Sequence, residues 1–213
     1  MKLNFSINIE KDTDNWHGSI DYQAYGVNFG GFQPKGIAVE KMKDHDYLRG
    51  YLEEKYYAAG KIAEFKTWLE EHVNTAEIKN DLERLMGKKF GDEAIEVFIT
   101  VFGRGMYYVP GNFFFLNYCH RDPMKSIPRI YHELMHFLFH RYYWEECQKA
   151  GLSEPQIHDL KESLTVLLNP ILEKRGLSAF LDQGYPKHQE LRAKLKTIWE
   201  EGNYDEKGFE PFF

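Results

Sequence analysis

His132-Glu133-Leu134-Met135-His136 sits inside a run, residues 130 to 144, that is almost entirely apolar or aromatic. Ile130, Tyr131, Leu134, Met135, Phe137, Leu138, Phe139, Tyr142, Tyr143 and Trp144 make up most of it. A helix that is apolar nearly all round is usually a buried one. At about 100° per residue, Arg129, His132, Glu133, His136 and His140 fall within one sector of that helix. Burying two imidazoles and a carboxylate is costly unless something satisfies them. A metal ion does so, and so does a cleft; the competing reading is a core helix whose histidines hydrogen-bond to neighbours.

Two imidazoles four residues apart lie one turn apart on one face, where a single tetrahedral zinc takes both. Glu133 projects further round and reaches a water activated by the ion without ligating the ion. The chemistry implied is hydrolysis by a metal-activated water, with Glu133 as general base. Asp122-Pro123 reads as a turn, Ser126 as an N-cap and Pro128 as a first-turn residue, so the helix is expected from about 127 to about 148.

Catalytic zinc normally takes three protein ligands. His140, His158, Asp159 and Glu162 are the candidates for the third. His140 lies a further turn along the same straight helix, which cannot easily wrap three turns round one ion. A histidine three residues beyond a glycine on the same helix is also absent, since Phe139 and Tyr142 stand at those places. The next helix opens on Ser153-Glu154-Pro155-Gln156, a capping box with proline in the first turn. Its apolar stripe is Ile157, Leu160, Leu164, Leu167, Leu168 and Ile171, and Pro170 kinks or restarts it after Leu168. Glu162 sits opposite most of that stripe. Such a residue is either a solvated surface glutamate or the third ligand, and Glu162 is our choice for the ligand.

His132-Glu133-Leu134-Met135-His136, followed by Glu162 in Lys161-Glu162-Ser163-Leu164-Thr165, resembles the gluzincin group of zinc metallopeptidases. The resemblance covers roughly residues 95 to 175. It implies a zincin-like α+β fold, with a small mixed β-sheet packed on the active-site helix and further helices after it. It implies zinc held by His132, His136 and Glu162, with Glu133 as the catalytic base. It also implies a peptide or protein substrate paired to an edge strand. The best-known gluzincin pattern has an aspartate four residues after the ligand glutamate, orienting a histidine. Val166 stands there in this chain, so Asp159, Asn169 or Asp182 is left to supply that group. The donor to the developing oxyanion is expected at Tyr185 or His188, with Tyr143 and Tyr108 as further options. The chain has 14 tyrosines, and simple packing competes with each such role.

At 213 residues the chain is expected to be one domain, with a sheet-containing part over 1–120 and a helical part over 121–213 that carries the metal site. A net charge of −6 without a basic block argues against nucleic acid and anionic membranes. No apolar run approaches 18 residues, and no apolar leader follows Met1. Cys119 and Cys147 read as free thiols, so a cytoplasmic location is expected. A Cys119-His120 metal pair is disfavoured, because adjacent side chains diverge in extended chain.

Alternation at Leu3, Phe5, Ile7 and Ile9 predicts a strand. Residues 12–18 read as a turn region, and 20–29 as a second strand ended by Gly30-Gly31. A long helix is expected over 47–72, weakened by Gly50 and Gly60, and a short one over 75–86 that stops at Gly87. Strands follow over 95–102, 106–109 and 112–118, with Pro110-Gly111 as a turn. A helix over 187–200 precedes an aromatic tail, 209–213. This order indicates α+β. Beside the peptidase, two other readings fit: a zinc amidase or hydrolase of a small molecule, and a non-catalytic metal-binding interaction protein on a zincin scaffold.

Overall fold

Alternation does build the first strand, but a shorter one than expected. In β1 (Lys2–Ser6), Leu3 and Phe5 are buried, while Asn4 and Ser6 face the other way and each hydrogen-bonds the Glu96 carboxylate at 2.7 Å. Ile9 belongs instead to a helix, α1 (Ile9–His17), whose cap Asn8 accepts from the Lys11 backbone N–H at 3.0 Å. Residues read as a turn are therefore helical. Trp16 anchors α1 in the core; of the polar residues that disguise it, Asp12 and Asn15 bond to Thr100 far along the chain, and Thr13 bonds back to the Ile9 carbonyl. Asp12 accepts from Thr100 Oγ1 at 2.6 Å, from the Val101 N–H at 3.0 Å and from the Tyr57 hydroxyl at 2.9 Å.

That carboxylate gives a pH signature. Burial, only partly offset by those hydrogen bonds, pushes the Asp12 carboxyl up from 3.8 to about 6. As pH rises from about 4, the unfolded chain releases the proton while the folded chain still holds it. Stability therefore falls with rising pH and levels off above about 6, the loss amounting to about 3 kcal/mol. Asp12→Asn is expected to remove that slope from denaturant-unfolding free energies measured between pH 4 and pH 7. An unchanged slope in the variant would refute the assignment.

The model described here, a computed structural model, covers residues 1–24, 27–28, 37–101, 104–119, 121–202 and 209. In place of one strand over 20–29 stands a hairpin, β2 (Gln23–Ala24) and β3 (Val27–Asn28), paired antiparallel. Gly30-Gly31 and the tail beyond Phe209 lie outside the described residues. The helix expected over 47–72 is broken. After a short α2 (Val39–Met42) upstream, that span holds α3 (His45–Leu52), a π-type segment (Glu53–Tyr57) and α4 (Lys61–His72). The break falls at Gly60, whose φ of 74° is a left-handed conformation that glycine adopts without steric cost. α5 (Thr75–Met86) matches expectation, from its Asn74 cap to its end at Gly87.

β4 (Ala94–Thr100), β5 (Tyr107–Tyr108) and β6 (Phe113–Asn117) complete a four-stranded sheet in the order β1-β4-β6-β5. β1 and β6 run parallel to β4, and β5 pairs antiparallel at the edge. Ile95, Val97 and Ile99 are buried along β4, as are Phe114, Phe115 and Leu116 along β6. Pro110-Gly111 does turn the chain, within a 3-10 turn closed by Asn112 at φ 49°.

α6 (Ser126–Tyr142) is the expected metal helix. Two corrections apply to it. Ser126 is its first residue and not its cap: a 3-10 turn (Pro123–Lys125) leads in, and the buried Ser126 hydroxyl bonds to no described group. The helix also ends at Tyr142, and α7 (Trp144–Lys149) restarts after Tyr143. α8 (Glu154–Leu164) opens on the Ser153–Gln156 capping box. A 3-10 turn (Thr165–Leu168) leads to α9 (Asn169–Lys174), restarted with Pro170 in its first turn. α10 (Gln189–Gly202) closes the described helices.

The chain is thus mixed α+β with a small mixed sheet, and it divides into two compact units. One holds Met1, Asn74–Glu93 and Pro128–Phe213; the other holds Lys2–Val73 and Ala94–Ile127. Among the described residues no helix is long and apolar enough to cross a membrane.

Candidate metal centre

The helical unit is built round α6. Tyr131, Leu134, Met135, Phe137, Leu138 and Phe139 are each at most 1% exposed. The Tyr131 hydroxyl donates to Asp81 of α5 at 2.8 Å, and Arg175 grips the same carboxylate through Nε at 2.8 Å and a terminal nitrogen at 2.9 Å. Packing and this buried network hold α6 in one rotation, and that rotation sets where His132, Glu133 and His136 point.

They point at Glu162. One ligand atom each from His132, His136 and Glu162 lie within 4.8 Å of one another. The two histidine Nε2 atoms are 2.9 Å apart. His132 Nε2 lies 3.6 Å from Glu162 Oε2, and His136 Nε2 lies 3.4 Å from Glu162 Oε1. Bond lengths of about 2.0–2.1 Å at a tetrahedral zinc put neighbouring donors about 3.3 Å apart, between the 2.9 Å separating the imidazoles and the 3.6 Å from His132 Nε2 to Glu162 Oε2. Glu162 Oε2 is buried and accepts no hydrogen bond from a described residue. The 2.9 Å imidazole contact is also a hydrogen bond, which a proton on one ring supplies; a divalent metal between the three groups satisfies the same lone pairs, so this donor set fits such an ion.

The electrostatics differ between the two imidazoles. Burial and the nearby Lys161 cation push His136 down to about 3, so its imidazole is neutral, as a ligand must be. Burial opposes charge on Glu162, but the contacts with His136, Lys161 and His132 outweigh it and hold the carboxyl well below its ordinary range. Burial also opposes charge on His132, yet the Asp182 and Glu162 carboxylates raise its imidazole well above the usual value.

Glu133 differs from Glu162. It is 9% exposed and takes part in no hydrogen bond or ion pair with a described residue. Burial pushes its carboxyl up to about 7, with the Glu162 charge adding to the rise. A carboxylate poised near neutrality, with no hydrogen bond from a described residue, suits a general base.

The group that orients His132 is Asp182, whose Oδ2 lies 2.8 Å from His132 Nδ1. Asn169, a second candidate for that place, supports it from behind: the Asp182 N–H donates to Asn169 Oδ1 at 2.8 Å. Asp159 is elsewhere, held by Lys187 at 2.6 Å and by His188 at 3.0 Å. Two residues that sequence reasoning missed complete the arrangement. Arg192, buried on α10, reaches Asp182 Oδ1 at 2.8 Å, the Asp182 carbonyl at 2.6 Å and Thr165 Oγ1 at 2.7 Å. Gly184 makes room for it: a Cβ there would lie 2.6 Å from the Arg192 guanidinium carbon, and its φ of +60° already disfavours a side chain. A glycine two residues after an aspartate was the one local trace of this arrangement.

The remaining candidates are engaged in other contacts. His140 stacks on Trp144 with centroids 4.2 Å apart, and His158 meets the same indole edge-on at 4.9 Å. His188 is buried, with Nε2 on Asp159, and Tyr185 packs edge-on against its ring at 5.7 Å. The Tyr143 hydroxyl donates to the Met86 carbonyl. Tyr108 is half exposed on β5. Cys119 and Cys147 form no disulfide, and His120 lies outside the described residues. No family model, no curated protein and no solved structure matches this chain.

Proposed function

We propose that this protein is a zinc-dependent hydrolase, and within that class a metallopeptidase of gluzincin type with a zincin-like fold. The observation that carries the reading is the convergence of His132, His136 and Glu162, beside a buried carboxylate, Glu133, that no described residue hydrogen-bonds. The mixed α+β chain with a small sheet and an antiparallel edge strand supports it. His132, His136 and Glu162 hold the ion, Asp182 fixes the ring of His132, and Arg192 fixes Asp182. When bound, zinc supplies Lewis acidity that activates water and polarises a carbonyl. Glu133 takes the proton from the attacking water and passes it to the leaving nitrogen. The burial of Glu133 itself sustains its basicity.

Metal analysis of the untagged protein by mass spectrometry, followed by a peptide-library digest, tests this. About one zinc per chain is expected, with cleavage that a chelator abolishes and zinc restores. Absence of zinc even after dialysis against it would end the hydrolase reading. Zinc without peptide cleavage would remove the peptidase and leave the metal centre.

A further inference from the structure

Lys161 is buried to 3% exposure, an unusual place for an ammonium group. Its Nζ lies 2.7 Å from Glu162 Oε1, the carboxylate next to it in sequence. The two oxygens of Glu162 are therefore unlike: Oε1 is held by the ammonium, while Oε2 is buried and accepts no hydrogen bond from a described residue. Nothing in the proposed hydrolysis uses Lys161. A buried cation beside a cation-binding centre also works against the metal, since like charges repel strongly at low effective dielectric. An arrangement that opposes metal binding calls for a compensating role.

We propose that Lys161 is a positioning residue of the metal centre: its ammonium holds Glu162 Oε1, leaves Oε2 as the single ligating oxygen, and acts as the resident counter-charge that keeps the centre assembled when no ion is bound. This rests on the metal-centre reading above. Without an ion, the buried Glu162 carboxylate has the Lys161 ammonium at 2.7 Å, nearer than either imidazole, and removing one partner of a buried pair is strongly destabilising. With an ion bound, the same ammonium prevents Glu162 from chelating through both oxygens. One coordination position thus stays open, as a catalytic rather than a structural site requires. Lys161 thereby exchanges affinity for a preassembled, singly ligating glutamate.

The test compares full-length wild type, Lys161→Met and Lys161→Gln. Zinc dissociation constants are measured by competition with a chelating dye, thermal unfolding is followed with and without zinc, and cobalt(II) absorption reports coordination number. Both variants are expected to bind zinc about tenfold or more tightly than wild type, because a fixed positive charge has gone. Their metal-free melting temperatures are expected to fall, and the rise on adding zinc to grow. In Lys161→Met the cobalt bands are expected to weaken as Glu162 adds its second oxygen. Lys161→Gln keeps a donor for Oε1 and is expected to retain the wild-type bands. Should metal-free Lys161→Met fail to fold, folding rescued by zinc is the extreme form of the expected result. Variants that bind zinc no more tightly than wild type would overturn the proposal and leave Lys161 a purely structural ion pair. A wild type that binds no more zinc than His136→Ala would instead remove the metal centre itself, and this inference with it.

Discussion

Glu133→Gln is expected to lower peptide turnover by about 100- to 10,000-fold while leaving about one zinc per chain. Gln matches Glu in shape but cannot accept the proton of the attacking water. Glu133 ligates nothing in the proposed centre, so metal content is expected to hold. Stability gives an independent check on the environment. Wild-type Glu133 is a buried carboxylate that burial itself raises to about 7, and no described residue hydrogen-bonds it. Removing its charge is expected to leave the melting temperature unchanged or raise it. Turnover, zinc content and melting temperature are read on one preparation. Full activity in the variant would remove Glu133 from the mechanism. Activity lost in step with zinc would make it a structural support of the ligands.

His136→Ala is expected to weaken zinc binding by about 100- to 1,000-fold. Protein zinc sites bind with roughly 10–16 kcal/mol, so each of about four ligands carries about 3–4 kcal/mol. His136 is 1% exposed, and its loss leaves a cavity in the core as well. A destabilisation of about 2–3 kcal/mol from that cavity is expected even without metal. The two effects separate by experiment: chelator competition reads the ligand, and metal-free thermal unfolding reads the cavity. Glu162→Gln is a near-isosteric companion that removes the ligand charge without a cavity, and comparable zinc weakening is expected of it. Wild-type zinc affinity in both variants would sink the assigned ligand set.

Several elements were legible because their determinants are local. α5 runs from its Asn74 cap to Gly87, and α8 from its Ser153–Gln156 box, since a cap acts over three residues. β4 and β6 announced themselves through runs of β-branched and aromatic residues. The His132–His136 pair was legible because helical periodicity alone puts both on one face. α1 was not. Asp12, Thr13, Asp14 and Asn15 read as turn residues, and what makes them helical is Asp12 meeting Thr100, 88 residues away, with Trp16 buried beside it. The break before α4 needed the backbone at Gly60, because periodicity continues across a glycine whether or not the chain turns there.

The site divides along the same line. By itself the sequence determined the candidate ligand pair His132 and His136, the carboxylate Glu133 beside it and the capping box that starts α8, all within one or two helical turns. Glu162 was a choice among four residues, and the structure brings that one to His132 and His136. Asp182 lies 50 residues from His132, Arg192 reaches Asp182 from α10, and Lys161 is buried where a lysine is ordinarily solvated. These depend on tertiary structure, because the free energy that holds them comes from burial and from charges brought together across the chain, neither of which propensity or periodicity encodes.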